Sequence, residues 1–131
     1  MRYLLLIYTQ EQLDSETDAA GGPELEEYNK FTEDIRARGL FEAGEALHPT
    51  SSATTVRVKN GETVTTDGPF AETKEALGGF YLVNAKDLDE AIELAARIPA
   101  AKHGSIEVRP IWEYGGTDAA GSAAETVGAA G

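Results

Sequence analysis

The sequence of 131 residues contains no cysteine and only two histidines. Without cysteine the chain has no disulfides, no thiolate nucleophile and no sulfur ligand for a metal. His48 and His103 lie 55 positions apart and no HExxH spacing occurs, so a zinc site is not expected. The glycine fingerprints of dinucleotide sites and P-loops are missing, as is the Gly-x-Ser-x-Gly elbow of serine hydrolases. These absences predict a protein that works without a metal or a cofactor.

Basic residues are scarce. The chain carries 11 Lys and Arg against 23 Asp and Glu, which gives a formal net charge of -12 at pH 7. Because the basic residues are scattered singly and an acidic surface repels phosphate backbones, nucleic acid is not an expected partner. The charge is typical of a solvated surface that keeps a protein soluble.

Long hydrophobic runs are absent as well. The apolar opening run, residues 3–8, is too short for a signal peptide or a membrane span. No membrane partner and a cytoplasmic location are therefore expected. The length and the hydrophobic content of 41% suit one folded domain. Gly, Ala, Ser and Thr dominate from Gly115 onward, which predicts a domain over residues 1–114 and a disordered tail over residues 115–131.

Apolar periodicity predicts six strands and two helices. The run at residues 3–8 is typical of a strand buried on both faces. The first helix is expected to begin at Pro23 and to stop at Gly39. Its apolar stripe consists of Leu25, Tyr28, Phe31 and Ile35. Further strands are predicted at residues 40–47, 54–58, 62–66, 78–83 and 105–112, with a tight Asn60-Gly61 turn between the third and the fourth strand.

The second helix has a clear start and stop. Asp87 and Glu90, three residues apart, predict a capped N-terminus, and Pro99 ends the helix. Its predicted buried stripe consists of Leu88, Ala91, Ile92 and Ala95.

The resulting order, β-α-β-hairpin-β-α-β, is the ferredoxin-like pattern of an α+β protein with an extra hairpin in the middle. Right-handed crossovers place both helices on one face of the antiparallel sheet. Strands such as residues 3–8 and 80–83 carry apolar side chains in both directions, so the second face needs a cover. A second copy, sheet against sheet, is the simplest cover, and the pattern therefore predicts a homodimer.

Six segments in order resemble the YCII-related family, in its DGPF branch. They are TTVR at residues 54–57, DGPFAETKE at 67–75, GGFY at 78–81, DLDEA at 87–91, IP through HG at 98–104, and VRP at 108–110. The match runs roughly over residues 1–112. It implies a ferredoxin-like fold that dimerises through its sheets into an α/β barrel.

The resemblance also has implications for function. Most members have no assigned activity. A pocket with His and Asp is suggested as an active site in the wider group, and dehalogenase-like roles belong to a few relatives. DGPF proteins are often linked to accessory sigma factors. Because this chain has no fused helical sigma region, a sigma factor partner is expected in trans. The wider family often carries its histidine in the first helical region, whereas this chain has only His48 and His103.

Asp67 and His103 are the predicted catalytic residues. Asp67 follows a strand and opens a loop, where a carboxylate beside a histidine can orient it or act as a general base. Asp-Gly-Pro is equally good turn chemistry, with the aspartate capping its own backbone. An imidazole such as that of His103 suits proton transfer near neutral pH, although a loop histidine before glycine is also typical of a surface residue. His48, at a strand end, is a weaker candidate.

Arg57 and Arg109 fall on predicted strands, where their forked donors can hold a carboxylate group of a small anionic ligand. Either arginine can instead pair with Glu45 or Glu107 across the sheet.

Tyr8, Tyr81 and Phe70 complete the predicted ligand-binding set. The two tyrosines lie on strands, where their hydroxyls can line a pocket and their rings can equally form core. Phe70 belongs to the long loop over residues 67–76, which is predicted to act as a lid.

Two functions remain open at this point. One is a cofactor-free enzyme of lyase, isomerase or dehalogenase type, in which Asp67 and His103 move protons. The other is a non-catalytic ligand-binding or regulatory dimer whose acidic surface suits a basic partner protein. Because no catalytic constellation is complete, the sequence favours the second.

Overall fold

The computed structural model describes residues 1–11 and 23–114. Its strands are β1 (Arg2–Thr9), β2 (Phe41–Ala46), β3 (Thr54–Lys59), β4 (Glu62–Asp67), β5 (Ala76–Asn84) and β6 (Ser105–Pro110). Its helices are α1 (Pro23–Ala37) and α2 (Leu88–Arg97), and short 3₁₀ turns cover Thr50–Ser52 and Pro99–Lys102. The predicted tail lies outside the described residues.

Four strands form one sheet in the order β2-β5-β1-β6, and β3 pairs with β4 in a separate hairpin. Every pairing is antiparallel. The predicted α+β class, with an antiparallel sheet and two helices, is confirmed. The element order is consistent with the ferredoxin-like pattern carrying an inserted hairpin.

The core lies between the helices and one face of the sheet. Burial alternates along β1, because successive side chains point to opposite faces. The buried positions of the helix-facing side are Tyr3, Leu5 and Ile7 on β1, Tyr81 and Val83 on β5, Phe31 and Ile35 on α1, and Ala91, Leu94 and Ala95 on α2. Both helices therefore cover the same face, as the right-handed crossovers predict.

The buried stripe of α2 differs from the predicted one. Ala91 and Ala95 are buried, whereas Leu88 and Ile92 are 49% and 50% exposed. Leu94, only 2% exposed, takes their place. Positions 91, 94, 95 and 98 lie on one side of a helix with 3.6 residues per turn. The small alanines let α2 approach the sheet closely, and Leu94 fills the space between the helix and the sheet. The predicted cap is present, with the Asp87 carboxylate accepting the backbone N–H of Glu90 at 2.9 Å.

The second face of the sheet carries apolar side chains that are only half-buried. Leu4 lies opposite Leu82, and Leu6 lies opposite Phe80. All four side chains point away from the helices. The hairpin β3-β4 is exposed along nearly all of its length, and its predicted turn is confirmed by positive φ angles of 51° at Asn60 and 82° at Gly61.

The C-terminal half of α1 is tied to α2 by charges as well as by packing. Asp34 accepts hydrogen bonds from Arg97 at 2.8 Å and from Arg38 at 3.3 Å. These bonds, that of Arg97 first, hold the pKa of Asp34 below its usual value. The guanidinium of Arg97 also lies 5.1 Å from the ring centre of Phe31. Neither helix of the described chain is long and apolar enough to cross a membrane.

Candidate functional site

A cavity of about 840 Å³ lies between α1 and the β2 side of the sheet. Its volume falls within the range of roughly 300–1,000 Å³ that is usual for small-molecule sites. One face of α1 lines it at three- and four-residue steps, with Glu24, Leu25, Tyr28, Asn29, Thr32 and Arg36. The opposite wall consists mainly of β2, the loop that follows it, and the first half of β5.

Small residues on the sheet explain why this space stays open. Gly44 pairs with Tyr81, and Ala46 pairs with Gly79, so the four positions share the face that looks toward α1. Only Tyr81 among them has a large side chain. The register of β1 against β5 also shifts at Gly78, and bulges of this kind are common next to functional sites. The first half of α1 therefore has little to pack against, and Leu25 stays 46% exposed.

A histidine–glutamate pair lies on the cavity wall. Nε2 of His103 is 2.9 Å from Oε2 of Glu24, and the two side chains are 33% and 26% exposed. Because a carboxylate only accepts hydrogen bonds, Nε2 carries the proton and donates. The first turn of α1 supplies Glu24, and the 3₁₀ turn after α2 supplies His103. The pair thus joins two elements 79 positions apart in the chain.

The hydroxyl groups of Tyr81 and Thr32 meet at 2.8 Å on the same wall. Burial raises the pKa of Tyr81, and the hydrogen bond with Thr32 opposes this rise. Tyr81 therefore keeps its proton at neutral pH and can donate a hydrogen bond. Its ring is fixed by edge-on contacts with Phe31 and Phe41, with ring centres 5.2 and 6.2 Å apart.

Glu11 holds the loop that closes the cavity beyond β2. Its carboxylate accepts hydrogen bonds from the Thr50 backbone N–H at 2.8 Å and from the Thr50 hydroxyl at 2.7 Å. This clamp fixes the segment that carries His48 and Pro49, both of which line the cavity.

The structure brings two of the predicted site residues to this cavity, Tyr81 and His103, together with the weaker candidate His48. Asp67 is not on its wall, and the carboxylate bonded to His103 is that of Glu24. Asp67 is exposed at the end of β4, where Gly68 adopts a positive φ of 92° that suits the turn interpretation of Asp-Gly-Pro. Its predicted catalytic role stays a prediction.

The remaining predicted ligand contacts, Arg57, Arg109, Tyr8 and Phe70, also lie off the cavity wall. Arg109 bonds Glu107 on its own strand at 2.6 Å, Arg57 is exposed on the hairpin, and Phe70 is 78% exposed. Their predicted ligand-binding roles therefore concern surfaces other than this cavity.

Sequence reasoning missed Glu24 and Glu11 because neither belongs to a recognisable motif. A glutamate in the first turn of a helix is common, since the helix dipole favours it there. Only the fold reveals that this carboxylate meets His103. Within residues 1–11 and 23–114, no group of three or more His, Asp or Glu side chains is arranged to hold a metal ion.

Fold and cavity together define a small α+β domain with a ligand-sized space between one helix and its sheet. The family model of the YCII-related domain matches residues 1–115, and the chain belongs to this family. An uncharacterized protein of Rhizobium meliloti (strain 1021) is 41% identical over 123 residues, which cover 87% of this chain and 94% of the relative.

A solved structure with a similar fold is that of 5-chloro-2-hydroxyhydroquinone dehydrochlorinase from Burkholderia phenoliruptrix AC1100, in complex with 2,5-dihydroxybenzoquinone. It superimposes with a TM-score of 0.49 at 16% sequence identity, covering 88% of this chain and 96% of that chain.

Gly104 allows the turn that carries His103 to lie close against β1. A Cβ at this position would collide with the carbonyl oxygen of Tyr8 and would lie 2.9 Å from Cγ2 of Thr9. Gly104→Ala should therefore lower the free energy of unfolding by about 1–3 kcal/mol, the usual cost of forcing an added methyl group into a packed region. Urea unfolding measures the change.

Gly78→Ala is the matched control, because a Cβ there meets only Oγ1 of Thr9, at 3.9 Å. We expect its unfolding free energy to stay within about 0.5 kcal/mol of the original protein. Equal effects of the two substitutions would contradict the proposed role of Gly104.

Proposed function

We propose that this YCII-related protein binds a small molecule in the cavity between α1 and the sheet. The observation that carries the proposal is a space of about 840 Å³ held open by a wall of glycine and alanine. A domain of this size does not leave such a volume beside its core by default, because protein interiors pack at the density of organic crystals.

The lining suits a ligand with an apolar body and a few polar groups. Ile7, Leu25 and Phe41 supply apolar surface, and the Tyr81 hydroxyl and the His103–Glu24 pair supply hydrogen bonds. Mostly apolar walls with a small number of placed polar groups are typical of small-molecule sites.

Blocking the cavity tests the proposal. Ala46 lines the cavity on β2 and is exposed, so an Ala46→Trp side chain can enter the space without replacing core. We expect the affinity for tryptophol, a neutral indole alcohol used as the probe, to fall by about tenfold or more, because the added ring excludes the probe. Ligand-observed NMR titration measures the affinity.

Ala96→Trp is the control, since Ala96 is exposed on α2 and does not line the cavity. It should leave tryptophol binding unchanged. Should Ala46→Trp bind the probe as tightly as the control does, the cavity is not the binding site.

The His103–Glu24 pair favours a second candidate function, a cofactor-free enzyme that transfers a proton. With Nε2 donating to Glu24, Nδ1 is the unprotonated nitrogen of the neutral ring and can accept a proton from a ligand. The carboxylate then holds the ring orientation and balances the charge of the imidazolium that forms, as in the acid–histidine part of a catalytic triad. Lyase, isomerase and dehalogenase chemistry all use such a step.

A proton-exchange assay tests this candidate. The probe is 2-indanone, whose hydrogens next to the carbonyl exchange slowly with deuterium in D₂O and are followed by NMR. The protein should accelerate the exchange, and His103→Gln should reduce the acceleration by about 10²-fold or more, the usual contribution of a general base.

His48→Gln removes the other imidazole of the cavity wall and should keep most of the acceleration. Exchange that His103→Gln leaves unchanged, or that the protein does not accelerate, would count against the enzyme and leave the binding function.

We further propose that the second sheet face packs against a second copy of the chain in a dimeric α/β barrel. Leu4, Leu6, Phe80 and Leu82 on that face support the proposal. Leu6→Glu should convert a dimer into a monomer in sedimentation equilibrium, because a charge would be buried without a partner. Leu88→Glu, at an exposed position of α2, should stay dimeric. A monomeric original protein would exclude the dimer.

The motif Asp67-Gly68-Pro69-Phe70 supports placement in the DGPF branch. The sigma factor partner in trans that this branch implies, and the cytoplasmic location, stay predictions of the sequence.

A further inference from the structure

We infer that the ligand of the cavity is an elongated molecule with a hydroxyl group at each end, an inference that rests on the proposed binding function. Two pairs of polar side chains on the cavity wall support it. The first pair is His103 with Glu24, joined at 2.9 Å. The second is Tyr81 with Thr32, joined at 2.8 Å. Helix α1 supplies one partner of each pair, so the helix fixes how far apart the two pairs lie.

The separation of the two pairs sets the length of the ligand. Glu24 and Thr32 lie eight positions apart on α1, which corresponds to about 12 Å along the helix axis. A hydrogen bond takes up about 2.8 Å at each end of the ligand. The two polar groups of the ligand must therefore lie at least about 6 Å apart to reach both pairs.

The Tyr81 hydroxyl is held in position by the packing of its ring. The ring makes edge-on contacts with Phe31 and Phe41, and a Cβ on Gly44 would lie 3.0 Å from its Cδ1 atom. The bond with Thr32 uses only one of the two hydroxyl hydrogens of the pair. The pair therefore keeps one hydrogen to donate and lone pairs to accept, and a ligand hydroxyl can use both.

The first pair offers Nδ1 of His103, since Nε2 is bonded to Glu24. Nδ1 accepts a hydrogen bond when the ring is neutral and donates one when the ring is charged. A hydroxyl group can donate and accept, so it fits either state of the ring. A carboxylate or an ammonium group would fit only one of the two states.

The walls between the two pairs suit a flat, apolar body. Tyr28 lies halfway between Glu24 and Thr32 on α1, where it packs against the core. The sheet opposite presents Gly44 and Gly79, which have no side chains. A planar ring system fits between such a helix and such a sheet, because its faces are apolar.

Three naphthalenes that differ only in their hydroxyl groups test the inference. They are 2,6-dihydroxynaphthalene, with one hydroxyl at each end, 2,3-dihydroxynaphthalene, with both at one end, and 2-naphthol, with one. We expect the 2,6-isomer to bind at least about threefold more tightly than either of the others, because only it forms hydrogen bonds at both pairs. Ligand-observed NMR titration at neutral pH measures the three affinities.

Tyr81→Phe keeps the ring and removes its hydroxyl, so the 2,6-isomer should lose its advantage over 2-naphthol. His103→Leu should abolish the advantage likewise. Tyr114→Phe makes the tyrosine change at an exposed position off the cavity and should keep the advantage. Because each variant is judged by the ratio of two affinities, a loss of stability that weakens both probes does not imitate the effect. Equal ratios in Tyr81→Phe and Tyr114→Phe would overturn the inference.

The outcomes separate this inference from the function on which it rests. Equal binding of the 2,6- and 2,3-isomers that Ala46→Trp weakens would overturn the two-ended ligand and leave the binding function intact. Binding of all three probes that Ala46→Trp does not weaken would overturn both.

Discussion

The packing of α1 depends on what the sheet offers it, and the two halves of the helix meet different surfaces. Its second half meets large side chains, and Phe31 and Ile35 are almost completely buried there. Its first half faces Gly44 and Gly79, which offer no side chain at all. The helix cannot close onto the sheet at both ends, because the Phe31 and Ile35 contacts and the Asp34 ion pairs fix its distance. The cavity is the consequence of this mismatch.

The polar groups of the cavity follow from the same arrangement. Because the first turn of α1 stands away from the sheet, Glu24 reaches across to His103 rather than into solvent. The pair bridges the gap between α1 and the 3₁₀ turn after α2. Gly104 makes the bridge possible, because a larger residue would push that turn away from β1. The missing side chains of Gly44 and Gly79 thus leave the cavity open, and that of Gly104 allows the His103–Glu24 pair to form at its edge.

Much of the fold is predictable from the sequence because it depends on local signals. Phe31 and Ile35 belong to a helical stripe, Asn60-Gly61 marks a hairpin, and Asp87 marks a helix start; each is found where predicted. The buried stripe of α2 was harder to predict from the sequence, because Leu88 and Ile92 fit the same helical period as Leu94. Which side of the helix meets the sheet depends on tertiary packing rather than on the period.

The candidate site was less predictable, since it depends on contacts between distant segments. Glu24 and His103 are 79 positions apart, and nothing near either residue signals the other. Asp67 belongs to a conspicuous sequence motif, but a turn motif of this kind reports local backbone geometry before it reports function. Gly44 and Gly79 lie within two of the predicted strands. Their meaning as a cavity wall required knowing that those strands pair and face α1.

The most direct test of this account is an NMR structure of the protein with bound tryptophol, solved from intermolecular NOEs to methyl and aromatic protons. If the probe binds in the cavity, NOEs will join the indole protons to Ile7, Ala46 and Tyr81, which lie on the cavity wall. NOEs confined to Val56 and Val58 of the hairpin, or to the exposed Trp112, would contradict it, because the probe would then bind an exposed apolar surface and not the space under α1.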